Sequence, residues 1–164
     1  MGKQTKTNAI RLLDTQKVAY KIHEYDHDDG AIDGVSVAAK LGQDPRAVFK
    51  TLVTKPAGKD SCCVFVIPVG AELDLKKAAR AVKEKSVSML HLVDLTKYTG
   101  YVRGGCSPLG MKKQYPTVFD ESCLEWPAIC VSGGRIGTQI EADHRDLIRL
   151  SRATTAPLTA EGEG

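Results

Sequence analysis

Hydrophobic and polar positions change period along the chain, and each change predicts an element. Ala9, Ile10, Leu12 and Leu13 share one helical face, with Thr7 placed to cap it. Val18, Tyr20 and Ile22 alternate, as in a half-buried strand. The acidic, Gly-containing stretch from Asp26 to Gly34 predicts a loop, followed by a short helix capped by Ser36 and stopped at Gly42. Asp44-Pro45 is a cap followed by proline at the first helical position. Phe49 to Lys55 and Cys62 to Val69 are apolar and β-branched, and Pro56-Ala57-Gly58 separates them as the turn of a hairpin. Leu75 to Val82 predicts a helix. Short strands are expected at Thr117–Phe119, Ile129–Val131 and Gln139–Glu141, and a last helix from about His144 to Leu150 behind the cap Asp143.

Strands and helices are mixed without strict alternation. This predicts an α/β fold around a mixed, largely antiparallel sheet. The 164 residues suit one domain, expected over residues 1–153. Thr154 to Gly164, rich in Thr, Ala, Gly and Glu, is expected to be a disordered tail. Apolar residues make up 42 % of the chain, enough for a real core, so a disordered or collagen-like chain is excluded. The net charge of +3 permits contact with phosphates but is not the dense basic footprint of a duplex-DNA binder. No apolar run reaches the roughly 18–20 residues of a membrane span. The polar stretch Met1 to Asn8 leads into no signal-peptide core. Five cysteines, an odd number, are expected as free thiols in a reducing cytoplasm.

Several residues could carry chemistry. His23-Glu24-Tyr25-Asp26-His27 spells the zinc-protease pattern, which works only on a helix. On a strand, residues four apart lie about 13 Å from each other, too far for one zinc. Two polar residues at a strand end is the plain alternative. Cys62 and Cys63 point to opposite faces of a strand and suit core packing. Cys106 is either a small apolar filler or a nucleophile, but no histidine lies near it in sequence. Lys50, inside an apolar strand, is either an exposed-face residue or a positive charge aimed at a phosphate or a developing oxyanion. Gly104-Gly105-Cys106-Ser107-Pro108-Leu109-Gly110 and Ser132-Gly133-Gly134-Arg135-Ile136-Gly137 are Gly-rich. Each is either a turn or a stretch of backbone N–H donors for a ligand. Neither fits a phosphate-loop or dinucleotide fingerprint.

Five places in the sequence together resemble one family. They are the Tyr25 segment, Val48-Phe49-Lys50-Thr51-Leu52, Leu73-Asp74-Leu75-Lys76-Lys77, Gly100-Tyr101 with the Gly-Gly-x-Ser-Pro-Leu-Gly stretch, and Val131-Ser132-Gly133-Gly134 through Ile140-Glu141. From about Asn8 to Leu150 the chain resembles the YbaK/EbsC family of free-standing aminoacyl-tRNA deacylases, and within it the Cys-tRNA(Pro) deacylase branch. The resemblance implies a single α/β domain whose mixed, mostly antiparallel sheet is barrel-like with helices packed outside. It implies hydrolysis of the ester joining a wrong amino acid to the 3′ adenosine of tRNA, without metal or other cofactor. Carried over by position, Lys50, Gly104 and Ser107 are the implied catalytic residues, and Tyr25, Gly105, Ser132, Gly133, Gly134 and Gln139 the substrate-binding ones. Some close relatives carry Asp where this chain has Gln139, and an amide can neither act as a base nor pair ionically with Lys50.

Ester hydrolysis needs a nucleophile, a stabilised oxyanion and a protonated leaving oxygen. Backbone N–H groups and Lys50 suit the oxyanion. The nucleophile is either a positioned water or, as the resemblance implies, the thiol of a cysteinyl ester attacking its own carbonyl. The expected partners are the 3′ end of an aminoacyl-tRNA and prolyl-tRNA synthetase, with no DNA and no membrane. The alternatives are a deacylase for another mischarged amino acid, alanine or serine, and a non-catalytic module binding tRNA ends or a synthetase.

Overall fold

The computed structural model describes residues 6–160. Two sheets form the frame. In the first, β1 (Tyr20–Glu24) and β6 (Ala128–Arg135) flank β7 (Thr138–Asp143), all antiparallel. In the second, β4 (Val87–Met89), β2 (Phe49–Pro56), β3 (Cys63–Pro68), β5 (Thr117–Asp120) and β8 (Thr154–Ala156) lie in that order. The β2–β3 and β2–β4 pairs are antiparallel, and the β3–β5 and β5–β8 pairs are parallel. A parallel bridge, Val48 to Cys130, joins the sheets. Among the described residues the strands form no closed barrel; the mixed, largely antiparallel α/β fold is as expected.

Local sequence explains the helices. Thr7 Oγ1 accepts the Ile10 N–H at the start of α1 (Asn8–Thr15), and Ala9, Ile10 and Leu13 face the core. Helix α2 (Gly34–Leu41) is capped by Asp33, not Ser36. The Asp33 carboxylate accepts both the Ser36 N–H and its hydroxyl, because Ser36 is the third residue of the helix's first turn. Gly42, left-handed at φ +66°, ends it. Asp74 caps α3 (Leu75–Ala81), accepting the Lys76 and Lys77 N–H groups, and Asp143 caps α5 (His144–Ser151), accepting the Arg145 N–H. Between them lies the short α4 (Leu95–Thr99).

β3, buried from Cys63 to Ile67, sits at the centre of the five-stranded sheet and reads as a continuous apolar run for that reason. Its Phe65 and Ile67 pack with Ala78, Ala79 and Leu158 under α3, while Val66 joins Phe49, Phe119, Val131 and Ile140 between the sheets. Cys62 and Cys63 fall in different clusters, as opposite faces require. All five cysteines are buried free thiols.

The expected disordered tail is corrected for residues 154–160. Thr154–Ala156 pair with β5, Leu158 is fully buried, and the Leu158 N–H donates to Asp120 Oδ1 at 2.9 Å. Residues 1–5 and 161–164 lie outside the described residues. No helix among the described residues is long and apolar enough to cross a membrane.

Candidate active site

Where β2, the Gly100–Gly110 loop, the start of α2 and the β6–β7 pair converge, they enclose a cavity of about 350 Å³. That volume suits a small ligand or the end of a larger one. Of the residues singled out from sequence, Tyr25, Lys50, Gly104, Ser132 and Gln139 line it. Residues from four separate stretches of chain therefore meet at one place. Ile32, Val35 and Val37 form an apolar wall.

Lys50 projects from β2, where its backbone lies opposite Ile67. It makes no ion pair among the described residues. Burial lowers its pKa from the ordinary lysine value, and the charge of Glu72 opposes that shift. A partly desolvated cation facing a cavity acts more strongly on a nearby negative charge than one in water. Arg103, not noticed in the sequence, adds a second cation to the lining. It sits in the expected loop, but no pattern distinguishes it from other surface arginines.

Three buried polar atoms in the lining make no hydrogen bond among the described residues: Tyr25 Oη, Thr51 Oγ1 and Gln139 Oε1. Buried polar atoms are nearly always paired, so three such atoms lining one cavity are a set that a polar ligand or water could satisfy. Gln139 is held opposite His23 on one side and Ser132 on the other, in the middle strand of the three-stranded sheet. Thr51 was missed because a threonine in a β-branched strand is ordinary.

The remaining expected residues support the cavity without lining it. Ser107 is fully buried, and its Oγ accepts the Leu109 N–H at 3.2 Å. The Tyr101 hydroxyl donates to the Leu109 carbonyl at 2.5 Å, and the Gly105 N–H to the Val102 carbonyl at 3.0 Å, so the loop is tied across its own base. Gly104, at φ +83°, turns this loop into the cavity lining. Ser132, Gly133 and Gly134, expected as a turn, instead belong to β6. The register shifts between Ser132 and Arg135, a bulge of the kind glycines permit. The Thr7 hydroxyl donates to the Gly133 carbonyl at 2.5 Å, tying α1 to the bulge.

Cys106 also lines the cavity, but burial pushes its thiol up to about 12, with a hydrogen bond to Thr99 pulling slightly the other way. That shift disfavours the thiolate form a nucleophile needs. His23 lies on β1, and His27 in the loop beyond its end, so the zinc-protease pattern is not helical here.

Residues 32–150 match the aminoacyl-tRNA editing domain family. The chain belongs to that family. Editing of this kind is deacylation, so the chain is by class an aminoacyl-tRNA deacylase. It is 46 % identical over 158 residues to an Enterococcus faecalis (strain ATCC 700802 / V583) protein named as a Cys-tRNA(Pro)/Cys-tRNA(Cys) deacylase, EbsC. The match covers 96 % of each chain. Two solved structures share the fold of this editing domain. One, described as a trans-editing enzyme for prolyl-tRNA synthetase, has a TM-score of 0.82 at 23 % identity, covering 96 % of this chain and 100 % of the other. The second, a hypothetical protein, APE2540, has a TM-score of 0.83 at 19 % identity, covering 93 % and 99 %.

Proposed function

We propose that this editing domain removes cysteine from Cys-tRNA(Pro), with the 3′-terminal aminoacyl-adenosine held in the cavity between Lys50 and Gln139. The carrying observation is the convergence, in a single cavity, of one partly desolvated lysine with three buried polar atoms that have no partner among the described residues. Gln139 Oε1 can only accept a hydrogen bond, and the α-ammonium of an aminoacyl ester is a donor of the right kind. Tyr25 and Thr51 hydroxyls can each donate or accept and suit the ribose and ester oxygens.

The lining offers no activated nucleophile. The substrate supplies one. Its thiol sulfur attacks its own ester carbonyl, the bond from that carbonyl to the ribose 3′ oxygen breaks, and the thiol proton ends on the departing oxygen. The products are free tRNA and a four-membered cyclic thioester, which water opens to cysteine. Lys50 stabilises the carbonyl oxygen while it carries negative charge, and the Gly100–Gly110 loop, tied across its base, holds the ester in the reactive geometry. Its modest +3 charge makes tight tRNA binding by this chain alone unexpected. Prolyl-tRNA synthetase is the partner we propose to hold the remainder of the tRNA.

The experiment follows loss of label from Cys-tRNA(Pro), Ser-tRNA(Pro) and Ala-tRNA(Pro), with and without the synthetase. Rapid loss from the cysteinyl ester alone supports thiol assistance, because serine is near-isosteric and lacks a thiol. Equal loss from all three points to a positioned water, and loss from the alanyl or seryl ester alone to a different specificity.

A further inference from the structure

The histidine that could not share a zinc with its sequence neighbour has other partners in space. His23 of β1, Glu141 of β7 and Cys130 of β6 stand on one face of the three-stranded sheet, one side chain from each strand. His23 Nε2 and Glu141 Oε1 are 2.8 Å apart. Cys130 lies directly opposite Glu141 in the β6–β7 register. The nitrogen, sulfur and carboxylate oxygen all lie within 4.8 Å of one another. We propose that these three residues form a binding site for a soft divalent metal ion of the zinc type.

Geometry and chemistry both fit. Tetrahedral zinc with bonds of about 2.0–2.3 Å sets its ligand atoms roughly 3.3–3.7 Å apart. The present separations reach that range by side-chain adjustment of about 1 Å, with the sheet itself unmoved. One imidazole, one carboxylate and one thiol are a set that favours zinc, cobalt or similar ions over magnesium or calcium. With three protein ligands the fourth position is left to water. A thiolate and a carboxylate together neutralise the double charge of the ion, so its partial burial is compensated. On binding, the S–H bond of Cys130 breaks, the sulfur bonds to the metal and the proton leaves to solvent. The ion has a way in: the His23 and Glu141 side chains are each a quarter exposed, above the buried Cys130. Lys21, opposite Glu141 on β1, is exposed. The pattern is invisible in sequence because the three positions are 107 and 11 residues apart (130 − 23 and 141 − 130) and meet only through strand order.

The test uses the full chain, reduced and stripped of metal with a chelator, and titrated with Co²⁺. One equivalent should bind and produce the near-ultraviolet charge-transfer band of a thiolate ligand, which Zn²⁺ then displaces. Zinc should also raise the melting temperature in a concentration-dependent way. Cys130→Ala should abolish the band. His23→Gln and Glu141→Gln should each weaken binding by more than the roughly 10–100-fold that loss of an outer hydrogen-bond partner costs. His27→Gln should bind as the native chain does. A folded native chain with no saturable band overturns the proposal. So does a band that survives in Cys130→Ala, since it then belongs to another cysteine. Should Cys130→Ala fail to fold, His23→Gln and Glu141→Gln, altered at partly exposed positions, decide by themselves: undiminished affinity in both overturns the site.

Discussion

Gly105 lies backbone to backbone against Arg135: a Cβ on Gly105 would stand 2.8 Å from the Arg135 Cα and 2.9 Å from its carbonyl carbon. The two Gly-rich stretches thus pack on each other, and Gly105 serves the cavity by letting its two walls meet. Gly105→Ala is expected to cost about 1–3 kcal/mol, as overpacking against a neighbour that cannot yield does. It should also lower kcat/KM, because Gly104 next to it forms the lining. Thermal melting beside deacylation assays checks this; a variant with native melting and native turnover would show that the walls can separate freely.

The C-terminal segment makes a second, purely structural prediction. Leu158 is fully buried beside Phe65, Ala78 and Val118, and its backbone N–H and carbonyl bond to Asp120 and Asp74. Leu158→Ala should destabilise by about 2–5 kcal/mol, the range for a buried leucine. Truncation after Ala153 should cost at least as much, since it also removes β8. Denaturant unfolding at an unchanged m-value is the measurement, and a loss below about 0.5 kcal/mol would return this segment to the status of a tail.

That segment also shows where the sequence stops being informative. Thr154–Ala156 form a three-residue edge strand, held by pairing to β5 rather than by any pattern of their own, so composition alone suggests disorder. Longer elements such as α1, β3 and α5 were legible because caps and apolar periods agree. Ser36 was mistaken for a cap because Asp33, three residues earlier, has the same chemistry and a better position. Lys50, Tyr25, Ser132 and Gln139 were legible as lining residues through the family resemblance. Ser107 was legible as part of the loop, but its hydroxyl turns inward to the Leu109 N–H, a direction no motif encodes. Arg103 and Thr51 carry no local signal, and only the packing of distant strands brings them to the cavity.

Gln139 Oε1 lines the cavity as an acceptor with no partner among the described residues. An unsatisfied buried acceptor costs about 1–3 kcal/mol, so Gln139→Leu is expected to raise stability by on the order of 1 kcal/mol while weakening substrate binding. The informative comparison is between a free and an N-acetylated aminoacyl ester. If Gln139 receives the α-ammonium, acetylation should slow the native enzyme markedly and the leucine variant far less. Equal sensitivity to acetylation in both would remove Gln139 from recognition of the amino group.

Cys106 is expected to be dispensable for bond cleavage. Its thiol is pushed up to about 12 by burial, so the thiolate is scarce at neutral pH. Cys106→Ala should retain kcat within a few-fold, and alkylating reagents should inactivate slowly if at all. A loss of several hundredfold in a variant that still melts normally would make Cys106 the nucleophile and overturn the substrate-assisted route.

Lys50 offers a test in which stability and activity should move apart. Removing a donor from an acyl-transfer site costs about 10²–10³ in rate, so Lys50→Met should lose most of its kcat/KM. Stability should hold or rise. Burial sets the folded-state pKa of Lys50 below its unfolded value, so protonation favours the unfolded chain. That penalty is fully present below the folded-state pKa and disappears as pH rises through it toward the unfolded value. At neutral pH the methionine variant escapes the whole penalty and should melt no lower than the native chain; in alkaline solution the difference should shrink. The same lowered pKa predicts that native activity falls on the alkaline side sooner than an ordinary lysine would dictate. In Lys50→Arg, whose guanidinium keeps its proton, any residual activity should persist to higher pH. Melting curves and pH–rate profiles of the three proteins measure all of this. Should Lys50→Met melt far below the native chain, the lysine is a structural residue. Should its alkaline limb match that of the native enzyme, the charge of Lys50 is not what the reaction uses.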